Sequence, residues 1–196
     1  PKFMVNADGS LGQRNDVKCV SLEHKLGIHG SPTCVMSYGD EGGAIGYLVG
    51  EANKGLGYMF TMMNHARLGV GVEGMSISER AYQQAVAYAK DRLQSRELGS
   101  SNPEPAAIIR HPDVRRMLMT MRSQIEAMRA LCYFGGTALD KAASLPAGAE
   151  QQQSQYLINF LIPIIKGWCT ETANELTSLG VQVHGGMRFI EETGAA

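Results

Sequence analysis

Residues 112–132 read PDVRRMLMTMRSQIEAMRALC, and the apolar side chains in this stretch recur every three or four positions. That spacing places them on one face of an α-helix. Pro112 suits the first turn of such a helix, because its fixed φ is already helical and its missing N–H would be unpaired there. The stretch therefore predicts an amphipathic helix over about 112–136, ending near the glycines at 135 and 136 or shortly after. The apolar face consists of Val114, Met117, Leu118, Met121, Ile125, Met128, Leu131 and Cys132.

The same period continues on both sides of this segment. No proline interrupts residues 53–98, and apolar residues at spacings of three, four and seven predict a long first helix over about 54–96. A third helix is predicted over about 156–183, with Pro163 near its first turn or at a kink. Several glycines in the first helix indicate that another backbone or a ligand comes close to it: Gly55, Gly57, Gly69, Gly71 and Gly74.

Three amphipathic helices with short connections make up most of an antiparallel bundle. Because their apolar stripes should face one another, we expect six side chains on these stripes to be mainly buried. They are Leu56, Met63, Met117, Met121, Leu161 and Leu179.

The first fifty residues have a different pattern. Short β-prone pieces at 17–22, 33–38 and 44–48 alternate with turn residues such as Asp8 and Gly9. Three strands cannot close a sheet of their own, so this part is expected to belong to a larger β structure. The sequence thus predicts a mainly α protein, an incomplete antiparallel helical bundle over residues 51–196 that is preceded by a few strands in residues 1–50.

The composition excludes several classes of protein. Of 196 residues, 44% are apolar and 19% charged, which is typical of a globular chain rather than a disordered one. The formal net charge of −1 leaves no basic excess for nucleic acid, and no apolar run approaches the roughly 20 residues of a membrane helix. The chain begins with Pro1 and shows no signal peptide, so we expect a cytoplasmic protein cut from something longer.

The cysteines and histidines indicate no metal site. Four cysteines lie far apart without a CxxC pair, which favours buried thiols in a reducing compartment: Cys19, Cys34, Cys132 and Cys169. The five histidines have no partner at a metal-ligand spacing, so each is interpreted as a hydrogen-bonded surface or boundary residue. The chain also lacks GxSxG and a phosphate-binding P-loop, which excludes two common classes of enzyme.

The most informative segment is residues 180–194, GVQVHGGMRFIEETG. The glycine pair is a common way to end a helix. The residues alone leave two readings open for the glutamates that follow: a polar tail or a functional site.

This segment resembles the signature of the acyl-CoA dehydrogenase family, in which a helix ends in a glycine pair followed by an aromatic residue and the catalytic glutamate. Three other segments agree with the family in order and spacing: residues 25–34 (KLGIHGSPTC) with late strands of its middle β domain, residues 64–68 (NHARL) with the centre of the first helix of its C-terminal bundle, and residues 88–92 (YAKDR) with the end of that helix. The sequences of residues 17–28 and 111–118 are similar to those of the longer bacterial branch of the family, which includes 3-methylmercaptopropionyl-CoA dehydrogenases.

The resemblance assigns the catalytic base to Glu192. Glu191 would then have no chemical role. Some members of the family carry the base on the first bundle helix instead, at the position that is Ala66 here, and alanine cannot take a proton.

The resemblance also implies binding roles. Gln182, Gly185 and Gly186 match positions that contact the flavin of a neighbouring subunit. Arg92 matches the arginine that pairs with the flavin pyrophosphate, and Arg67 matches an arginine near the active site, assigned here to substrate binding.

Two positions depart from the family pattern. Arg188 replaces a glycine before the aromatic residue, where a bulky cation could narrow the acyl pocket or strain the turn. Alternatively, Arg188 could bind the CoA phosphates or a polar acyl group. Pro112 replaces a glutamine that often faces the flavin.

By this resemblance the chain is part of an FAD-dependent enzyme that oxidises an acyl-CoA thioester to a trans-2-enoyl-CoA. Glu192 would abstract the α-proton, and the β-hydrogen would leave as hydride to flavin N5. The family implies a homo-oligomer, a dimer or tetramer, that passes electrons to an electron-transfer flavoprotein. Two alternatives stay open: a catalytically silent assembly module of the same fold, and an acyl-CoA oxidase.

Overall fold

The computed structural model describes residues 1–195, which fall into two compact units, residues 1–56 and residues 57–195. Short strands occupy the first unit, and three long helices dominate the chain, so the predicted mainly α class is confirmed. Among the described residues, no helix combines the length and the apolar character needed to cross a membrane.

The first unit contains two antiparallel strand pairs. β1 (Phe3–Val5) pairs with β2 (Leu11–Arg14), and β3 (Val17–Leu22) pairs with β4 (Cys34–Tyr38). The predicted strands at 17–22 and 33–38 are therefore confirmed, apart from one residue at the start of β4. β1 and β2 were not predicted, because three or four residues are too few to show an alternating pattern.

The strand predicted at 44–48 is wrong. Asn15, which is buried, binds this segment with its side chain: Ile45 N donates to Asn15 Oδ1 at 2.9 Å, and Asn15 Nδ2 donates to the Ile45 carbonyl at 2.8 Å. The polar backbone groups of Ile45 are thus satisfied by a side chain rather than by a neighbouring strand.

The three predicted helices exist, with different ends. α1 is Gly55–Asp91, α2 is Pro112–Ser144 and α3 is Ala149–Val183. α1 stops earlier than predicted, because the chain after it turns back: Leu93 pairs with Ala107 across an antiparallel bridge.

α2 continues well beyond the glycine pair that was predicted to end it. Gly135 is buried, and a Cβ added there would lie 2.5 Å from Ile165 Cδ1 of α3. The glycine therefore serves close packing between helices and not a helix end. α3 begins at Ala149, earlier than the predicted start near 156, which places Pro163 in the helix interior.

Contacts between the helices fix their directions. Arg129 Nη2 of α2 donates to Glu79 Oε2 of α1 at 2.6 Å, and Arg122 lies over the Tyr82 ring at 5.9 Å, so α1 and α2 run antiparallel. A turn of four residues reverses the chain between α2 and α3, which pack against each other. The arrangement is up, down, up, as expected for most of an antiparallel bundle.

Two of the glycines in α1 explain how closely it approaches α3. A Cβ at Gly71 would lie 2.5 Å from Ile165 Cγ2, and a Cβ at Gly74 would lie 2.8 Å from the Cys169 carbonyl oxygen. The prediction that another backbone comes close is confirmed at these two positions. A Cβ at Gly55, Gly57 or Gly69 would meet no atom within 4 Å.

The expected core is confirmed in part. Met117, Met121 and Leu161 are buried, and Leu179 is half-buried against the same core. Leu56 and Met63 are exposed, so the prediction is wrong for them. The first buried residue of α1 is Gly71. The apolar residues of α1 before Gly71 lie on one face of the helix, and such a face is buried only where another surface packs against it.

Two of the four cysteines are buried and two are exposed. Cys132 and Cys169 are buried between α2 and α3, as expected, with their sulfur atoms 3.9 Å apart. Cys19 and Cys34 are exposed on β3 and β4, which contradicts the expectation of buried thiols, because no second layer of strands within Pro1–Leu56 covers the face that carries them.

Candidate active site

The end of α3 lies close to α1 and α2. Gly180 is buried, and a Cβ added there would lie 3.3 Å from Met121 Cε and 3.4 Å from Ala81 Cβ. The helix is capped by His184, and Gly185 follows with φ +59°. Glycine adopts this left-handed conformation without strain, so Gly185 lets the chain leave the helix at the point predicted from the sequence.

Glu192 lies in a single 3₁₀ turn, Glu191–Thr193. The next residue, Gly194, accepts a hydrogen bond at its carbonyl from Gln84 Nε2 of α1. The turn is therefore held against α1 by a glutamine that the sequence analysis did not single out. No motif marked Gln84, because a glutamine on a helix face is ordinarily a solvated residue.

Both functional groups of Glu192 are available. The side chain is exposed, and neither its carboxylate nor its backbone N–H has a hydrogen-bond partner among residues 1–195. A free carboxylate can accept a proton, and a free N–H can donate to a developing negative charge. The turn thus exposes a carboxylate and an unpaired N–H group from one residue.

Gln182 and Arg188 are brought together. The Arg188 guanidinium donates from Nη1 to Oε1 of Gln182, and both side chains are exposed. The amide N–H groups of Gln182 stay available as donors, since only its oxygen is used in this bond. Gly186 is exposed, and a Cβ there would meet nothing within 4 Å, so its backbone is open to an approaching group.

Arg92 follows the last residue of α1. Its backbone N–H donates to the Tyr88 carbonyl at 2.8 Å, and its carbonyl accepts from Ile108 N at 2.9 Å. These bonds fix the backbone, whereas the guanidinium is exposed and has no acidic partner in the part of the chain that the structure describes. Arg92 can therefore bind an anion.

Arg67 lies apart from this group. It is half-buried on α1, about 25 residues and so about 37 Å of helix before Arg92. No hydrogen bond or ion pair joins Arg67 to Glu192 within residues 1–195.

A cleft of about 340 Å³ lies between α1 and the end of α3. Its walls include Gln84, Thr177, His184 and Gly194. His184 is 5% exposed, its Nδ1 is 2.9 Å from the Gly180 carbonyl, and its ring lies 4.4 Å from that of Tyr88. The expectation that His184 is hydrogen-bonded is confirmed, but the expectation of a surface or boundary position is wrong, because the Tyr88 ring covers it and it is buried.

No metal centre is formed by the described residues. Within residues 1–195, no three His, Cys, Asp or Glu side chains lie close enough together to hold an ion.

Comparison with known proteins agrees with this arrangement. Residues 53–196 match the family model of the acyl-CoA dehydrogenase C-terminal domain. The chain is 54% identical over 196 residues to 3-methylmercaptopropionyl-CoA dehydrogenase of Ruegeria pomeroyi. The match covers 100% of this chain and 33% of that protein. The chain is 36% identical to a butyryl-CoA dehydrogenase of Syntrophomonas wolfei, covering 98% of this chain and 32% of that protein.

A solved structure shares the fold. Caenorhabditis elegans ACDH-11 in complex with C11-CoA superimposes with a TM-score of 0.75 at 20% identity, covering 98% of this chain and 33% of that one. The chain spans about a third of the length of the curated relatives named above. From the family match over residues 53–196 and the identity to its relatives, the chain belongs to the acyl-CoA dehydrogenase family.

Proposed function

We propose that the chain is the C-terminal part of an FAD-dependent acyl-CoA dehydrogenase that converts an acyl-CoA thioester to its trans-2-enoyl form, with Glu192 as the base. The observation that carries this proposal is the free carboxylate of Glu192, presented on a turn after the Gly185–Gly186 break in a chain of this family.

Glu192 would remove the proton from the carbon α to the thioester. A solvated carboxylate is a weak base for such a proton. Binding of an acyl chain would expel water from around the carboxylate, and the loss of solvation of its charged form would make it a stronger base. Substrate binding itself would thus make Glu192 a competent base.

The backbone N–H of Glu192 would stabilise the product of that step. Loss of the α-proton moves negative charge to the thioester oxygen, which then needs hydrogen-bond donors. The N–H of Glu192 has no acceptor within residues 1–195, so it can donate without giving up another bond.

The residues near the ends of α1 and α3 fit a flavin dinucleotide. A pyrophosphate needs cationic and N–H donors, and this region offers the unpaired guanidinium of Arg92, the amide of Gln182 and the open backbone of Gly185 and Gly186. When bound, FAD would accept the β-hydrogen of the acyl chain as hydride. By the family resemblance Gln182, Gly185 and Gly186 serve the flavin of a neighbouring subunit, so the working form is a homo-oligomer.

The physiological acceptor is proposed to be an electron-transfer flavoprotein, and the compartment to be the cytoplasm. Arg67 and Arg188 are proposed to act on the substrate side. For Arg188 the bond to Gln182 favours binding of the CoA phosphates or a polar acyl group over narrowing of the acyl pocket.

The test uses the full-length protein purified with its flavin. Acyl-CoA is added without oxygen or other acceptor, and the oxidised flavin band is followed. Butyryl-CoA and 3-methylmercaptopropionyl-CoA form the first panel, since they are the substrates for which the two relatives are named.

Bleaching by a member of the panel supports the dehydrogenase, and an unchanged spectrum with every member favours the silent assembly module. Admitting air separates the third alternative: fast reoxidation by oxygen indicates an oxidase, and slow reoxidation that an electron-transfer flavoprotein accelerates indicates a dehydrogenase.

A further inference from the structure

The ends of α1 and α3 are joined by one aromatic contact. The rings of Tyr88 and His184 have centroids 4.4 Å apart and an interplanar angle of 31°. His184 is 5% exposed, so its ring is enclosed by protein and not by solvent. Aromatic pairs at this separation attract each other beyond the area that they bury.

His184 is also fixed to its own helix. Its Nδ1 is 2.9 Å from the carbonyl oxygen of Gly180, one turn earlier. A carbonyl can only accept, so Nδ1 must carry the proton. The ring is therefore held by a hydrogen bond on one side and by the Tyr88 ring on its face, which leaves it a single orientation.

Each of the two rings belongs to a residue that is linked to one proposed to face the cofactor: Tyr88 by a hydrogen bond to Arg92, and His184 by the peptide bond to Gly185. The carbonyl of Tyr88 accepts the backbone N–H of Arg92 at 2.8 Å. His184 immediately precedes Gly185, where φ is +59° and the chain leaves α3. Arg92 is thus connected to the Gly185–Gly186 pair through the contact between Tyr88 and His184.

We propose that His184 is a positioning residue: its contact with Tyr88 sets the distance between Arg92 and the Gly185–Gly186 backbone, and through it the affinity for the flavin. This inference rests on the proposed function, since it assumes that these residues bind FAD. A leucine at 184 would fill the space but lose both the ring contact and the Nδ1 bond, so the two helix ends could shift relative to each other.

The test is the dissociation constant of FAD for the apo form of the full-length protein, measured by flavin fluorescence. We expect His184→Leu to weaken binding about tenfold, which corresponds to about 1.4 kcal/mol. His184→Phe keeps an aromatic ring against Tyr88 and should stay within about twofold of the wild type, because the ring contact is retained.

A double-mutant cycle isolates the contact. Tyr88→Leu should weaken FAD binding to a similar extent, and Tyr88→Leu with His184→Leu should lose little more than either alone. Ile158→Ala is the control for a merely structural effect: Ile158 is fully buried in α3 far from this end, so its loss should lower the melting temperature and leave the FAD dissociation constant unchanged.

An FAD affinity unchanged in His184→Leu, or losses that simply add in the double mutant, would overturn the inference and leave the proposed function standing. A wild-type apoprotein that binds no FAD would overturn both. Should His184→Leu fail to fold, Tyr88→Leu decides alone, since Tyr88 is only half-buried, and an unchanged affinity in that variant overturns the inference.

Discussion

The middle of the helical unit and the turns that follow α3 differ in burial and in what holds them. Met121, Ile165 and Cys169 are fully buried where the helices meet. Every residue from 185 to 192 is exposed, and these turns are held by hydrogen bonds, including the bond from Gln84 to Gly194. Packing therefore determines the middle, whereas backbone turns and single side-chain bonds determine the site.

This difference separates two kinds of substitution. A change in the middle should alter the free energy of unfolding and leave the chemistry of the folded protein intact. A change in the turns should alter chemistry or cofactor binding at little expense of stability, because surface positions usually contribute within about 0.5 kcal/mol.

The largest effect is expected in the turns. Glu192→Gln in the full-length protein keeps the size of the side chain but cannot accept the α-proton. Losing a positioned base typically lowers the rate by about 10²–10⁴-fold. Substrate-dependent flavin reduction, followed by stopped-flow absorbance, should fall by that factor while the flavin stays bound and the melting temperature stays the same.

Glu191→Gln is the matched control, since it changes the neighbouring carboxylate of the same turn and should leave the rate near that of the wild type. A Glu192→Gln enzyme of normal rate would move the base elsewhere, and a loss confined to Glu191→Gln would assign it to Glu191.

The two regions also differ in how far the sequence predicts them. The apolar stripe of α2 predicted its buried face, including Met117 and Met121, because helical period depends only on local sequence. The same spacing wrongly predicted that Leu56 and Met63 are buried, since burial also depends on a packing partner that the spacing does not specify.

At the site, the family motif led to Glu192 and the glycine break but not to the residues that hold them. Gln84 and Tyr88 lie on α1, about 100 residues before Gly194 and His184, the residues that they contact. No pattern within one segment encodes such a contact, so the sequence named the groups that could do chemistry and missed those that position them.

A second contrast concerns thiols. Burial raises the pKa of Cys169 to about 12, with smaller contributions from Cys132. At pH 8 only about 10⁻⁴ of such a thiol is ionised, against about a quarter of an ordinary one with a pKa near 8.5. Alkylation of Cys169 by iodoacetamide in the folded protein should therefore be about 10³-fold slower than in denaturant, as mass spectrometry of the peptide would show.

Cys19, which is exposed, is the internal reference and should react in both conditions. Because the folded pKa of Cys169 lies above the unfolded one, its contribution to stability is present below about pH 8.5 and is lost as the pH rises toward 12. Equal labelling of Cys19 and Cys169 in the folded protein would contradict the close packing between α2 and α3.

The core can be tested with two adjacent isoleucines of α3. Ile165 is fully buried against Gly71 and Gly135, whereas Ile164 is 41% exposed. Ile165→Ala should lower the free energy of unfolding by about 2–5 kcal/mol, because it removes apolar contacts and leaves a cavity.

Ile164→Ala should have a much smaller effect in the same denaturant titration. Neither variant should change the FAD dissociation constant where both are folded. If Ile165→Ala weakened FAD binding as well, the separation between core and site would be wrong.

The smallest effect on stability is expected for two glycines of α1. Replacing them by alanine should change the free energy of unfolding in opposite directions. A Cβ at Gly74 would lie 2.8 Å from the carbonyl oxygen of Cys169, a backbone atom that cannot rotate away. Gly74→Ala should therefore force the helices apart and destabilise the protein by about 1–3 kcal/mol. At Gly69 a Cβ would meet no atom within 4 Å, so Gly69→Ala should gain up to about 1 kcal/mol from helix propensity alone. Thermal unfolding of the two variants should shift in opposite directions, and destabilisation by both would mean that another surface approaches α1 at Gly69 in the full-length protein.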